Sequence, residues 1–430
     1  MEHFAFILRA LTLILILDLI VYGEKETEST WAWVLLLLYV PLIGLILYLL
    51  TGQNIPIKNR RKKGEERLPV TEDNRIEILK GGEEKFQKLF VDIQNAQKEI
   101  LVEYYIFQDD FLFDSLRKLL CKKVAEGVRV RVLYDALGSR HIKKYIWKEM
   151  EEKGIEIARF KAGFWTNFMA GISGVNYRNH RKIVVIDSYI GYVGGINIGK
   201  EYLGLDARFG CWRDTHFRIE GSGSLSLRNV FLGDWKAELN SVEAGGKKGA
   251  VLQIVTSGPD SASPHIRNVY LRCIGNAKKR IRIQTPYFIP DTATLNALKL
   301  ALLSGKEVYL MIPCKPDHMF VYWATLYNVG ILLALGAKVY IYKEGFMHSK
   351  GIIMDEDIYC YGTANMDIRS FFLNYEVKAI CYGREEVKKM CDIFENDQSL
   401  CHELTYQEYA SRSLKIRIKE QLSRLLSPLL

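Results

Sequence analysis

The chain has 430 residues, which is enough for two or more domains with sizeable hydrophobic cores. Its eight cysteines are scattered, without a Cys-x-x-Cys pair or a Cys/His zinc spacing. This pattern argues against a disulfide scaffold or a zinc fold and favours a reducing compartment. The net charge of +9 suits either nucleic acid or an acidic membrane surface as the partner.

Two apolar segments near the N-terminus predict a transmembrane hairpin, the first domain of the chain (residues 1–54). The first segment (about 4–22) includes the charged residues Arg9 and Asp18, and the second (about 31–50) has no charge. A membrane span needs about 20 apolar residues, although Asp18 is costly inside lipid. A cleaved signal peptide is the alternative interpretation of the first segment, but no clear small-residue cleavage site follows it.

The charges around these segments predict the orientation of the hairpin. Three glutamates lie in the short connection 23–30, whereas a basic linker (residues 55–80) follows the second segment and contains Lys58-Asn-Arg-Arg-Lys-Lys63. Positive charge gathers on the cytoplasmic side of membrane proteins. We therefore expect a multi-pass protein of the cell membrane with the rest of the chain in the cytoplasm. The basic run would also suit binding of anionic lipid headgroups.

The remaining chain shows the same order of elements twice. In each half a helical repeat of apolar residues leads into a strand, at residues 100–107 and again at 281–288. A further helix and strand follow in both halves, at 112–126 and 128–134 and again at 292–303 and 307–312. Alternating helices and strands predict α/β sheets with helices on both sides. We therefore predict two domains, 81–243 and 250–410, related by a pseudo-twofold axis and separated at the glycine-rich segment 245–249.

Two further segments are candidates for contact with lipid. The apolar stretch 164–171 would either dip into the bilayer or pack in the core. The C-terminal tail (residues 411–430) predicts an amphipathic basic helix, which would either lie on the membrane or pack on the domain. Its apolar residues are Leu414, Ile418, Leu422, Leu425 and Leu426, and its basic residues are Lys415, Arg417, Lys419 and Arg424.

One motif of polar residues occurs in both halves. The first copy consists of His180, Lys182, Asp187, Gly194 and Asn197, and the second of His348, Lys350, Asp355, Gly362 and Asn365, at identical spacing. Residues two apart in a strand point to the same face, so each copy presents an imidazole beside an ammonium group. A chance duplication of this kind is improbable, and the pattern predicts one site for an anionic group between the two halves.

This set of residues suits phosphoryl or phosphatidyl transfer. The lysines and asparagines can bind phosphate oxygens and stabilise the charge of the transition state, and glycine allows close backbone approach to a ligand. One neutral histidine can attack phosphorus, while the other, protonated, gives a proton to the leaving oxygen. The two pKa values must then differ. The aspartates either orient a histidine or have a structural role at the strand ends.

The duplicated His-x-Lys-x4-Asp motif resembles the phospholipase D superfamily, and flanking motifs resemble its bacterial cardiolipin synthases. These motifs are Trp31-Ala-Trp33 with Leu49 to Asn54, Glu103-Tyr-Tyr-Ile106, Thr256-Ser-Gly-Pro-Asp260, Gln284 to Asp291, Asn365-Met-Asp-Ile-Arg-Ser370, Asn374-Tyr-Glu376 and Arg424 to Leu430. The resemblance spans nearly the whole chain. One departure is Thr363, where the family often has serine, another hydroxyl residue.

The resemblance implies the fold and the roles of the motif residues. It implies two phospholipase D-like α/β sandwich domains, with His180 as nucleophile and His348 as acid and base. The equivalent positions of Lys182, Lys350, Asn197, Asn365, Gly195 and Thr363 lie around the substrate phosphate. In this context Arg213, Asp214, Asp317 and Glu376 would line the cleft, whereas His216 and His318 are more often structural. The residues alone do not tell which histidine attacks.

The function implied is synthesis of cardiolipin and glycerol from two phosphatidylglycerol molecules through a phosphatidyl-histidine, without metal, nucleotide or other cofactor. The expected partners are phosphatidylglycerol and anionic membrane lipids. A phospholipase D that hydrolyses phospholipids to phosphatidic acid is the main alternative. A nuclease would fit the positive charge, but the apolar segments and the lack of an evident basic groove with aromatic residues argue against it. A non-catalytic membrane scaffold is the third alternative.

Overall fold

The computed structural model describes residues 2–21, 27–48, 69–160, 177–239, 248–315, 317–425 and 427. These residues form two compact units, one with the N-terminal helices and one with the chain from residue 69 onwards, apart from Tyr177. The predicted lipid-contacting stretch 164–171, most of the glycine-rich boundary, residues 55–68 of the basic linker and the residues Leu426 and 428–430 lie outside the described residues.

The N-terminal unit contains three helices, α1 (Glu2–Val21), α2 (Thr27–Tyr39) and α3 (Pro41–Leu47). Among the described residues, no helix combines the length and the apolar character that crossing a bilayer requires, so the predicted transmembrane hairpin is not supported. In the second segment the cause is Pro41, which cannot continue a helix because it lacks an amide hydrogen. The segment is divided into helices of 13 and 7 residues, whereas a span needs about 20.

The second unit begins with the elements of the first half. They are β1 (Val70–Gly81), α4 (Gly82–Asn95), β2 (Glu99–Tyr104), α5 (Phe111–Ala125), β3 (Arg129–Asp135), α6 (Lys144–Glu152), β4 (Glu156–Phe160), β5 (Arg178–Asn179), β6 (Lys182–Ile186), β7 (Ile190–Gly194), a 3-10 helix (Lys200–Leu203), β8 (Cys211–Glu220) and α7 (Ser222–Trp235). The apolar repeat of the sequence becomes the buried face of α4, and Leu89 and Ile93 are fully buried there.

The second half repeats this order and adds elements at its end. It contains β9 (Ala250–Ser257), α8 (His265–Asn276), β10 (Arg280–Gln284), β11 (Phe288–Ile289), α9 (Thr292–Leu303), β12 (Glu307–Pro313), α10 (Met319–Leu333), β13 (Lys338–Tyr342), β14 (Gly345–Met347), β15 (Gly351–Met354), β16 (Ile358–Gly362), β17 (Met366–Asp367), α11 (Ile368–Phe372), β18 (Asn374–Tyr382), α12 (Arg384–Ser399), β19 (Cys401–Leu404), α13 (Tyr406–Ala410) and α14 (Leu414–Leu425). The predicted α/β class is thus confirmed, and the exact domain boundaries stay a prediction.

The two halves have the same strand order. The first half runs β4-β3-β2-β6-β7-β8-β1, and the second runs β13-β12-β10-β15-β16-β18-β9 with β19 added beside β13. In both, parallel outer strands give way to antiparallel inner strands. Pairing of β1 with β9 joins the halves.

The two half-sheets also share a hydrophobic core. One cluster of buried residues contains Ile183 and Phe217 from the first half together with Tyr359 and Val377 from the second. The rings of Phe217 and Tyr359 stack with centroids 5.6 Å apart. Helices α4 to α6 and α8 to α10 cover the opposite faces of the two half-sheets, in separate clusters. The strands that carry the motif are therefore held between packed layers on both sides.

Candidate active site

Each motif histidine follows a short strand that pairs with the opposite half of the unit. Strand β5, which ends one residue before His180, pairs with β18 of the second half. Strand β14, which ends one residue before His348, pairs with β8 of the first half. Main-chain hydrogen bonds continue both pairings, from His180 N to Tyr375 O (2.9 Å) and from His348 N to Arg213 O (2.7 Å). This exchange brings each histidine to a carboxylate of the other half.

His180 is bound by Glu376, a residue of β18. Its Nδ1 lies 2.9 Å and 3.1 Å from the two oxygens of the Glu376 carboxylate, and the ring of Tyr105 packs edge-on against the imidazole at 4.9 Å. Burial lowers the pKa of His180, whereas Glu376 acts to raise it. Burial alone would raise the pKa of Glu376, but the charges of His180 and Lys182 outweigh it and hold that pKa below its ordinary value. The carboxylate thus stays ionised, and Nδ1 donates to it.

His348 is bound in the equivalent way by Asp214, a residue of β8. Its Nδ1 lies 2.7 Å from Asp214 Oδ2, and the indole of Trp212 packs against the imidazole at 4.8 Å. The Nζ of Lys350 also lies 2.7 Å from this Nδ1. Burial, followed by the charge of Lys350, lowers the pKa of His348 to about 4. Asp214 itself is held ionised, because Lys350 and His348 outweigh the effect of burial on its pKa.

The two motif lysines lie behind the histidines and are fully buried. Lys182 Nζ donates to the carbonyl oxygen of His180 at 2.6 Å, and Lys350 Nζ donates to that of His348 at 2.5 Å. Burial lowers the pKa of Lys182 to about 7 and that of Lys350 to about 8. Each lysine therefore fixes the main chain at its histidine and places a titratable positive charge next to that residue.

The asparagines of the motif reach the cavity, whereas Gly195 and Thr363 support the framework. Asn197 Nδ2 donates to the hydroxyl of Tyr202 at 2.7 Å, and Asn365 Nδ2 donates to Asp367 Oδ2 at 3.1 Å. A Cβ on Gly195 would overlap the Asp214 carboxylate, so only glycine leaves room for that acid. Thr363 Oγ1 donates to Val377 O at 3.1 Å and accepts from Val377 N at 2.9 Å.

The motif aspartates bind main-chain amides at the ends of the strands. Asp187 accepts from the amides of residues 97–99 at 2.7–3.0 Å, and Asp355 accepts from those of residues 278–280 at 2.8–2.9 Å. Both residues have a φ of 51°, in the left-handed region that aspartate tolerates better than most residues. These contacts favour the structural interpretation of the two aspartates, since the carboxylates bound to the histidines are Glu376 and Asp214.

One cavity of about 280 Å³ joins the two half-sites. His180, His348, Asn197 and Asn365 all line it, and the two imidazoles are bound through Nδ1, which leaves Nε2 for a ligand. Asp317 and His318 also line the cavity, and Asp317 is fixed by a hydrogen bond from the Tyr287 hydroxyl.

The structure adds cavity residues that the sequence patterns do not identify as functional. Arg178 and Arg369 line the cavity, as do the aromatic residues Tyr105, Trp212 and Tyr287. The sequence could have indicated Arg178 as a cavity residue. It lies two residues before His180 and therefore on the same side of an extended chain. Arg213 does not line the cavity, because its guanidinium is bound to Asp397 at 2.7 Å. His216 is fully buried as well.

The cavity is lined by two imidazoles, and each is bound by an ionised carboxylate and has a buried ammonium group nearby. This arrangement suits transfer of a group at a phosphodiester. This is the chemistry of the phospholipase D class. The family profile described as "Cardiolipin synthase, PLD-like domain" matches residues 89–209 and 270–398, and the profile "Phospholipase_D-nuclease N-terminal" matches residues 10–53. The chain therefore belongs to the cardiolipin synthase family of phospholipase D-like proteins.

Curated relatives match over nearly the full length. The chain is 44% identical to the major cardiolipin synthase ClsA of Bacillus subtilis, with 97% of each chain covered. It is 40% identical to the cardiolipin synthase of Oceanobacillus iheyensis, over 98% of this chain and 97% of the relative. The cardiolipin synthase of Listeria monocytogenes is 40% identical, with 95% of both chains covered.

Solved structures share the fold at low sequence identity. The phosphatidylserine synthase of Haemophilus influenzae has a TM-score of 0.68 and 14% identity, over 87% of this chain and 100% of that chain. The polyphosphate kinase of Porphyromonas gingivalis has a TM-score of 0.52 and 13% identity, over 82% of this chain and 52% of that chain. Likeness at this level of identity concerns the fold alone.

Proposed function

We propose that the protein transfers a phosphatidyl group between two phosphatidylglycerol molecules and so makes cardiolipin and glycerol. The observation that supports this most is the pair of Nε2 atoms, one from each half, that face a single cavity with their Nδ1 atoms held by Glu376 and Asp214. Membership of the cardiolipin synthase family supports the choice of lipid substrates.

In the first step Nε2 of His180 attacks the phosphorus of one phosphatidylglycerol. A nitrogen–phosphorus bond forms, the bond from phosphorus to the glycerol oxygen breaks, and His348 gives its proton to that oxygen. The attacking role of His180 rests on the family resemblance, since both imidazoles have a carboxylate on Nδ1. Because the pKa of His348 is about 4 without substrate, we propose that the bound phosphate raises it until the ring can hold this proton.

In the second step a hydroxyl of another phosphatidylglycerol attacks the phosphatidyl-histidine. His348, now neutral, takes the proton of this hydroxyl, the nitrogen–phosphorus bond breaks, and His180 returns to its starting state. Asp214 orients His348 and stabilises its charged form in both steps, as Glu376 does for His180. His348 therefore gives one proton and takes one back in each cycle, while His180 forms and loses one bond to phosphorus, so neither residue is consumed.

Charge stabilisation comes from residues around and behind the histidines. Asn197 and Asn365 line the cavity and would donate to phosphate oxygens. Lys182 and Lys350 lie beneath the histidines, so their charges would act on the phosphate through a low-dielectric interior. We propose that Gly195 and Thr363 act on the phosphate indirectly, by positioning the acid-bearing strands.

The second lipid carries a phosphate of its own, which also needs a positive partner. Arg178 and Arg369 line the same cavity as His180, and guanidinium groups bind phosphate through paired hydrogen bonds. Arg178 has no cationic counterpart beside His348, because the equivalent position holds Phe346. We propose that these arginines hold the acceptor phosphatidylglycerol on the His180 side.

The N-terminal unit supports association with membranes. Its helices present many exposed apolar side chains, including Phe6, Ile14, Leu17 and Tyr39. Such a surface would be unfavourable in water and matches lipid. We propose that the protein works at the membrane, where its substrates are.

Turnover of phosphatidylglycerol alone tests the proposed function. Purified full-length protein in detergent with phosphatidylglycerol should release cardiolipin and glycerol in equal amounts, without added metal or nucleotide. Formation of phosphatidic acid alone would identify a hydrolytic phospholipase D instead. No turnover of any phospholipid would contradict both functions.

A further inference from the structure

The last described helix, α14, turns its apolar stripe outwards. Leu414, Ile418, Leu422 and Leu425 have exposed fractions of 72%, 50%, 57% and 72%. At about 100° per residue these four side chains lie within a sector of about 80° on one side of the helix. A helix that only covers a domain buries such a stripe, so this orientation needs another explanation.

The side of α14 that packs on the domain is the polar one. Glu420 and Ser423 are only 1% and 2% exposed. Arg412 Nε lies 2.9 Å from both carboxylate oxygens of Glu420, and the hydroxyl of Tyr409 donates to the same carboxylate at 3.2 Å. A buried carboxylate that lost these partners would be strongly destabilising. The contacts therefore fix the rotation of the helix and keep the apolar stripe outside.

Basic residues flank the stripe on both edges. At the same angular spacing, Lys415 lies on one edge and Arg417 and Arg424 lie on the other, and all three are exposed. Apolar residues between two lines of basic residues are typical of helices that lie in the headgroup region of a membrane. The pattern suits an anionic surface, because each exposed cation near such a surface adds to the attraction.

Helix α14 packs against α10, a helix that also contributes to the active-site cavity. Lys419 and Arg424 of α14 lie over the rings of Trp323 and Tyr327 of α10, each at 5.0 Å. Val321 of α10 lines the cavity. The neighbouring side chains at the start of α10, Met319 and Phe320, are 51% and 58% exposed.

We propose that α14 docks on an anionic phospholipid surface, with its four apolar side chains among the upper acyl chains and its basic residues at the phosphates. This inference rests on the proposed function, since it explains how phosphatidylglycerol reaches the cavity. A second copy of the chain suits the same face poorly, because docking would bring like-charged edges together on a protein of net charge +9.

Photolabelling tests the contact directly. Full-length protein is reconstituted in phosphatidylglycerol vesicles that contain a phosphatidylglycerol with a diazirine in its acyl chain, illuminated, and mapped by mass spectrometry. We expect labelled peptides from residues 414–425 and none around Tyr189, which is equally exposed (58%) but lies in the turn between β6 and β7. Absence of label on 414–425, or a protein–protein cross-link there in its place, overturns the proposal.

Kinetics of matched variants separate docking from catalysis. For Ile418→Ser/Leu422→Ser on phosphatidylglycerol vesicles, KM should rise about five- to tenfold with kcat retained, because apolar area no longer enters the lipid. On short-chain phosphatidylglycerol below its micelle concentration the variant should equal wild type, and Tyr189→Ser should equal wild type on both substrates. Equal losses on both substrates, or no loss on vesicles, overturn the docking proposal. A wild-type protein that makes no cardiolipin refutes the proposed function instead, while the photolabelling still decides the docking.

Discussion

The two half-sites arise from one repeated motif, but they are electrostatically unequal. In the His348 half-site (His348, Asp214 and Lys350) the ammonium lies 2.7 Å from Nδ1, and the pKa of the histidine falls to about 4. In the His180 half-site (His180, Glu376 and Lys182) the ammonium contacts the main-chain carbonyl, and both carboxylate oxygens lie near Nδ1. A duplicated sequence thus gives the two histidines different electrostatic surroundings, and the acid role proposed for His348 requires the bound phosphate to raise its pKa.

Removal of either histidine should have the largest effect on turnover and should show which role each histidine has. We expect His180→Ala and His348→Ala each to lower turnover by at least about 10³-fold, because the nucleophile or the acid is lost. Phosphatidylglycerol labelled in its phosphatidyl part should leave a covalent adduct on His348→Ala and none on His180→Ala, detected after rapid denaturation. The reverse pattern would exchange the two roles, and full turnover by both variants would contradict a catalytic role for the two histidines.

Neutralisation of the two carboxylates should have the next largest effect. We expect Glu376→Gln and Asp214→Asn to lower kcat by about 10²- to 10⁴-fold, because each imidazole loses the anion that orients it and stabilises its charged form. Adduct formation should be slowed more in Glu376→Gln, and overall turnover should fall in both. Equal activity of the two variants and wild type, measured by cardiolipin release, would refute the cross-half pairing as a catalytic feature.

The pH dependence should report the buried lysines. With pKa values of about 7 for Lys182 and about 8 for Lys350, the ammonium charges are present at low pH and are lost as the pH rises through these values. We expect kcat/KM for phosphatidylglycerol to fall about tenfold per pH unit between pH 7 and 8, where Lys182 loses its charge, and about a hundredfold per unit above pH 8, where both lysines lose theirs. A rate that stays level up to pH 10 would contradict a role for these charges in phosphate stabilisation.

Arg178, which has no cationic counterpart beside His348, should affect substrate binding. We expect Arg178→Ala to raise KM for phosphatidylglycerol about tenfold with a smaller effect on kcat, since a bidentate phosphate contact is lost. Arg178→Lys should recover only part of this loss. Arg384→Ala is the control, because its side chain is 87% exposed. An unchanged KM in Arg178→Ala would remove this residue from the acceptor site.

The smallest effect is expected for the motif aspartates, and it should appear in stability. Asp355→Asn should lower the free energy of unfolding by about 1–3 kcal/mol, because three backbone amides lose a charged acceptor. Its kcat should stay near that of wild type. Asp357→Asn is the matched control, since the side chain of Asp357 forms a 3.8 Å ion pair at the surface and a single such pair contributes little to stability. A large fall in kcat for Asp355→Asn without loss of stability would favour the catalytic interpretation.

Much of the fold follows from local patterns in the sequence. The helix predicted at 292–303 has these bounds in the structure. The strand predicted at 128–134 is shifted by one residue, to 129–135, and the strand predicted at 307–312 extends one residue further, to 313. These elements have strong periodicity and clear ends, such as the Asp291 side chain that caps its helix through Thr294 N. The duplicated motif likewise predicted a centre with two histidines, and in the structure His180 and His348 line one cavity.

The parts that sequence patterns do not provide depend on contacts between distant segments. Asp214 and Glu376 appeared as candidates for the cleft, but no local pattern tells that each binds the histidine of the other half, since strand exchange decides it. The contact between Arg412 and Glu420 fixes the rotation of α14, with its apolar stripe outwards. The hydrophobic periodicity of the sequence does not predict this rotation. The division of the second apolar segment into two helices could have been predicted from the sequence, because Pro41 interrupts a helical run.

The exchange of strands β5 and β14 has a consequence for synthesis of the chain. His180 is made early, but its carboxylate partner lies 196 residues later and on a strand that must first pair with β9 and β16. A nascent chain therefore carries an imidazole that nothing yet orients. The catalytic centre is complete only after Glu376 has been synthesised, when most of the 430 residues are already in the chain.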